Sequence, residues 1–87
     1  MKVHVRYYAA VADAAGTREE EYDVATGTTV AQFREQMGAG KLAEFARILG
    51  VCALIVDGGR AEESGVLGED RTDGSISVEV LPPFAGG

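Results

Sequence analysis

The side chains able to do chemistry in this chain are few and scattered. It has one His (His4) and one Cys (Cys52) among 87 residues. A zinc site of the usual kind needs several Cys or His ligands, and an internal disulfide needs two thiols, so neither forms here. His4 falls on the polar face of an alternating segment and reads as a solvent-facing strand histidine. Cys52 shares the parity of Leu54 and Val56 in an apolar run, which makes it a buried small hydrophobe, not a nucleophile. The acidic run Glu19-Glu20-Glu21 and the pair Glu62-Glu63 read as solvated faces and not as metal ligands. Gly58-Gly59 follows a strand, but no Lys-Ser/Thr or dinucleotide-binding spacing follows it, so it is a turn. No nucleophile–base pair, carboxylate dyad or metal triad remains. No metal and no bound cofactor are expected.

What remains is the end of the chain, Leu81-Pro82-Pro83-Phe84-Ala85-Gly86-Gly87. Pro82-Pro83 favours a stiff, extended start. Six residues, Pro82 to Gly87, at about 3.3–3.6 Å each, reach on the order of 20 Å from the body that carries them. Gly86-Gly87 has no Cβ, so its backbone fits a slot too narrow for any side chain. At the tip is a carboxylate, unreactive until it is activated. Pro82, Pro83, Phe84, Ala85 and Gly86 are therefore expected to form a projecting tail with the Gly87 carboxylate at its tip.

Such a tail needs a rigid base, and the rest of the chain provides elements for one. Val3, Val5 and Tyr7 alternate with Lys2, His4, Arg6 and Tyr8, a half-buried strand. Ala9 to Ala15 reads as a loop or short turn ending at Gly16-Thr17. Glu20, Tyr22 and Val24 against Glu19, Glu21 and Asp23 suggest an edge strand pairing antiparallel with the first. Thr29 and Gln32 form a capping box ahead of Val30, Phe33 and Met37 at helical spacing. Leu42, Phe45, Ala46 and Leu49 repeat that spacing up to Gly50. Cys52 to Val56 is a buried strand ending at Asp57-Gly58-Gly59. Arg60 to Arg71 reads as irregular, and Asp73-Gly74 as a turn. Ile76, Val78 and Val80 then alternate with Ser75, Ser77 and Glu79 in a last strand. This order predicts an α+β domain, a β-grasp with a helix across one face of a mixed sheet, over residues 1–81. Residues 82–87 form the tail.

Composition narrows the partners. The charge of −6 at pH 7 opposes nucleic acid and anionic membranes, which select clustered Lys/Arg. The longest aliphatic run, Ala53-Leu54-Ile55-Val56, is too short for a membrane span. The opening strand alternates too regularly for a signal peptide, and a single thiol suits a reducing cytoplasm. Parity places Tyr8, Ile55 and Leu81 on outward positions near the root of the tail. Three large apolar side chains there are expected to form a partner-binding patch.

The tail, together with the opening Val5-Arg6-Tyr7-Tyr8-Ala9-Ala10 and the helix start Gly27-Thr28-Thr29-Val30, resembles the ubiquitin-like sulfur carriers of the MoaD/ThiS type. Within them it is most similar to the small subunit of molybdopterin synthase. The resemblance implies a protein that is not catalytic alone. An adenylating enzyme of the ubiquitin-activating type (MoeB-like) would use ATP to convert the Gly87 carboxylate to an acyl-adenylate, and a sulfurtransferase would supply sulfur for a thiocarboxylate. The tail would then enter the molybdopterin synthase large subunit (MoaE-like) and donate sulfur to cyclic pyranopterin monophosphate in molybdenum cofactor biosynthesis. The alternatives are a sulfur carrier of cysteine or thiamine biosynthesis and a ubiquitin-like protein modifier.

Overall fold

The computed structural model describes residues 1–69 and 74–83. The elements run β1 (Lys2–Tyr7), α1 (Ala9–Ala15), β2 (Glu19–Asp23), α2 (Val30–Gly38), α3 (Ala43–Leu49), β3 (Ala53–Val56), β4 (Gly59–Arg60) and β5 (Ser75–Leu81). They build one five-stranded sheet in the order β2-β1-β5-β3-β4. The last strand is therefore central. It lies parallel to β1, with Lys2 opposite Ser75 and Tyr7 opposite Val80, and antiparallel to β3, with Ala53 opposite Leu81. The β1–β2 pair is antiparallel, and β2 is an edge strand, as the alternation predicts.

Alternation puts Val3, Val5, Tyr7, Ile76, Val78 and Val80 on one sheet face, where all are buried. Three helices supply Val11, Val30, Phe33, Met37, Phe45 and Leu49 to the same core. Burying a side chain of this size is worth about 1.5–3 kcal/mol, so this one-sided layer holds the sheet. The capping box forms as expected. Gln32 N–H donates to the Thr29 hydroxyl at 3.2 Å, and Thr29 N–H donates to the Gln32 side-chain oxygen at 2.9 Å.

Four local expectations change. Ala9–Ala15 is a helix, not a loop: Ala is the best helix former, Val11 is buried, and Gly16 closes the last turn on the carbonyls of Ala12 and Asp13. Leu42 is not on the buried stripe of α3 but precedes its first turn, 78% exposed, and Ala46 is also exposed. The turn after β3 is tighter than Asp57-Gly58-Gly59. Asp57 and Gly58, with φ of 49° and 86°, form a two-residue hairpin that pairs Val56 with Gly59 and begins β4. Arg60 to Glu69 is not wholly irregular, because Val66 bridges Thr29 and Leu67 enters the core, strapping the start of α2. Asp73 lies outside the described residues.

Candidate functional site

The parallel β1–β5 pair sets the site. Both strands run to the same end of the sheet, so Tyr8, following Tyr7 opposite Val80, comes alongside Leu81 at the root of the tail. Leu81 pairs with Ala53 and Ile55 with Glu79, so Ile55 stands one alternation further along the same face. Tyr8, Leu81 and Ile55 thus share the face turned away from the helices, and each is half-buried. Pro82 is buried against the body, and Pro83 is exposed. Phe84, Ala85, Gly86 and Gly87 lie outside the described residues.

A polar group completes this face. The Tyr8 hydroxyl donates to Glu79 Oε2 at 2.8 Å, holding the ring across β5 while the hydroxyl stays satisfied. Glu79 also sits opposite both Arg6 and Ile55. The sequence signals this only through parity, which places Arg6, Tyr8 and Glu79 outward without saying which touch. At the same end, a cleft of about 480 Å³ opens between β1, α1 and β2, with Arg6, Tyr8, Ala12, Asp13, Arg18 and Glu19 on its walls. One wall is α1, which the alternation of the strands does not reveal. The chain enters α1 through Ala9 at φ 52°, an uncommon backbone for a residue with a Cβ.

The two residues first in line for chemistry are occupied otherwise. His4 Nε2 lies 2.7 Å from Glu19 Oε1 on the open face. Cys52 is buried just before β3, its thiol donating to the Ile48 carbonyl at 3.2 Å, and burial pushes its pKa up, away from the nucleophilic thiolate. Among the described residues, no group of three His, Cys, Asp or Glu is placed to hold a metal.

The acidic runs divide. Glu19 and Glu21 face solvent, but Glu20 turns toward the helices. It accepts from Tyr7 Oη at 2.7 Å, Tyr22 Oη at 3.0 Å and Lys41 Nζ at 2.8 Å to each oxygen. Burial pushes the Glu20 pKa up, but the hydrogen bonds from Lys41, Tyr7 and Tyr22 outweigh it and hold the carboxyl below its ordinary range. Burial raises the Tyr7 and Tyr22 hydroxyls, so both remain protonated donors. Glu63 is likewise more than a solvated charge. Arg34 grips it through Nε at 2.9 Å and Nη2 at 2.7 Å while Nη1 donates to the carbonyls of Leu49 and Cys52. One guanidinium thus ties α2 to the end of α3 and to the strap before β5.

No protein-family model matches the chain, and no curated protein matches it by sequence. Solved structures do. Small archaeal modifier protein 1 of Haloferax volcanii aligns with a TM-score of 0.75 at 18% identity, over 94% of this chain and 97% of that one. A Pyrococcus furiosus protein, provisionally named molybdopterin converting factor subunit 1, gives 0.72 at 21% over 95% and 98%. The complex of subunits 1 and 2 of molybdopterin-converting factor from Helicobacter pylori gives 0.65 at 20% over the whole of both chains. The fold is the ubiquitin-like β-grasp. At such identities the likeness carries the fold alone. The central strand β5 ends at Leu81 beside β1, whose end at Tyr7 leads directly into Tyr8. No helix among the described residues is long and apolar enough to cross a membrane.

Proposed function

We propose that this chain is a cytoplasmic sulfur carrier and the small subunit of a molybdopterin synthase. Its Gly87 carboxylate is adenylated with ATP by a ubiquitin-activating-type enzyme and converted to a thiocarboxylate with sulfur from a sulfurtransferase. The sulfur then passes to cyclic pyranopterin monophosphate inside a large catalytic subunit. The observation that carries this reading is the central placement of β5, the strand from which the Pro-Pro, Gly-Gly sequence follows. A tail presented on a fixed base loses less freedom when it enters a partner's channel than one trailing from a loop. The two-subunit factor among its structural neighbours supports a partner of the large-subunit kind. Tyr8, Ile55 and Leu81, half-buried around the root, offer that partner an apolar contact, and Pro82 to Gly86 thread the channel.

Intact mass spectrometry tests the reading after incubation with the adenylating enzyme, ATP and a sulfur donor. An oxygen-to-sulfur mass change at Gly87, followed by dithiolene formation with the large subunit, is expected. An unchanged mass with a competent partner overturns it. A second reading, a protein modifier joined to lysines of targets, is favoured by the modifier protein among the neighbours. It predicts an isopeptide adduct in the same experiment.

A further inference from the structure

Any surface that closes over Tyr8, Ile55 and Leu81 also closes over Glu79. Ile55 stands directly opposite Glu79 on β3, the Tyr8 hydroxyl reaches Glu79 from the β1 side, and Leu81 follows two residues later on the same face of β5. A half-buried carboxylate therefore sits inside the apolar patch. Covering a charge without a counter-charge is unfavourable, because the water that solvates it is stripped away. A partner that closes this patch must answer the charge or lose affinity to it.

The chain itself does not supply the answer. Arg6 lies directly opposite Glu79 on β1, yet its Nε turns to Glu19 Oε1 at 3.6 Å. Arg60, opposite Ile55 on β4, shares the outer face and is exposed. Neither forms an ion pair with Glu79, nor does any other cation of the described residues. The bond from the Tyr8 hydroxyl to Oε2 at 2.8 Å is neutral on the donor side, and it holds the carboxylate in place. No fully buried side-chain oxygen among the described residues lacks a partner, so Oε1 is still open to solvent and to an incoming group.

We propose that Glu79 is the anchor for one cationic side chain, a lysine or arginine, that the large subunit presents within an otherwise apolar contact surface. The proposal rests on the pairing with a large subunit described above. The Tyr8 bond pre-orders the carboxylate, so the cation meets a fixed acceptor. Tyr8, Ile55 and Leu81 exclude water around the pair, which strengthens the attraction. The charge of −6 draws cationic surfaces toward the chain, and Glu79 decides where the cation lands. Arg6 on one side and Arg60 beyond Ile55 on the other disfavour a second cation beside the first.

The test follows association and dissociation of the full chain with the large subunit of the same cells, for wild type, Glu79→Gln and Tyr8→Phe. Circular dichroism and urea unfolding are recorded on each free variant. Glu79→Gln keeps an acceptor for the Tyr8 hydroxyl and removes only the charge, so the native spectrum and unfolding midpoint are expected to persist. Its affinity should fall about tenfold, mainly through faster dissociation, as for a desolvated charge pair. Tyr8→Phe keeps the charge and should lose less. The sign of the change decides. A partner that brings no cation gains when a covered charge is removed, so unchanged or tighter binding of Glu79→Gln overturns the proposal. A loss confined to the association rate and erased by salt assigns Glu79 to long-range steering and overturns it too. So does an equal loss in Tyr8→Phe, which traces the effect to the hydrogen bond. These outcomes leave the large-subunit reading standing, whereas a wild type that does not bind the large subunit removes that reading and the proposal with it.

Discussion

The two faces of the sheet use the same alternating strands for opposite ends. The inner face carries Val3, Val5, Tyr7, Ile76, Val78 and Val80 against three helices, and every one is buried. The outer face carries Lys2, His4 and Arg6 on β1, Tyr8 just after it, and Ser75, Ser77, Glu79 and Leu81 on β5, and the helices of the described residues pack their buried side chains on the other face. Adjacent residues show the contrast most directly. Glu19 on the outer face pairs with His4 and Arg6 in the open, while Glu20 on the inner face is gripped by Lys41 and two tyrosines. The inner face holds the buried core, and the outer face carries exposed ion pairs and the Tyr8–Glu79 bond.

Deleting the centre of the inner layer tests that division most severely. Phe33→Ala leaves a void where the ring meets Tyr22 edge-on at 5.6 Å, and is expected to cost about 3–5 kcal/mol in urea unfolding. Glu20→Ala strips the acceptor from Tyr7, Tyr22 and Lys41, and about 1–3 kcal/mol should be lost. Its outer neighbour supplies the control, since Glu19→Gln should leave the unfolding midpoint unchanged.

The same carboxylate predicts a pH dependence. The folded state holds Glu20 below the ordinary value of 4.5, so the unfolded chain binds the proton more tightly. Its contribution is complete above about pH 4.5 and fades as pH falls through the lower folded value. Acid unfolding of the wild type should therefore be steeper than that of Glu20→Gln, and equal slopes would separate Glu20 from the acid response.

Gly68→Ala probes the inner face from its rim. At φ 68° a Cβ would stand 2.7 Å from Ile76 Cδ1, and a loss of about 1–2 kcal/mol should appear in thermal melts. The smallest effect on stability belongs to the outer face. Tyr8→Asp is expected to retain the native circular dichroism spectrum while weakening binding to a large subunit at least tenfold, about 1.4 kcal/mol, by calorimetry. Full affinity in that variant would detach the outer face from the proposed partner.

Much of the inner face was legible because strand period and helix period are local. Val3/Val5/Tyr7, Ile76/Val78/Val80 and Val30/Phe33/Met37 are each readable within a few residues, and so is the Thr29–Gln32 box. Helix α1 was not, because Ala9-Ala10-Val11-Ala12 carries propensity without an amphipathic pattern. Leu42 misled for the opposite reason, since its spacing fits α3 but its backbone lies outside the helix. Of the candidate site, the Pro-Pro, Gly-Gly pattern is legible in the sequence, and the outward parity of Tyr8, Ile55 and Leu81 as alternation. The Tyr8–Glu79 bond was invisible, because it joins residues 71 positions apart.

The sequence by itself determined the poverty in His, Cys and Lys, the Pro-Pro, Gly-Gly ending and which side of each strand is apolar. These are properties of residue type and near neighbours. Only the tertiary structure decided that β5 enters the middle of the sheet parallel to β1, that Glu20 and Arg34 are inward clamps, and that Lys2 and the tail root lie at opposite ends. Strand order and long-range hydrogen bonds depend on pairings between distant segments, and the parity that sets Glu20 beside Tyr22 does not say that Tyr7 and Lys41 meet its carboxylate.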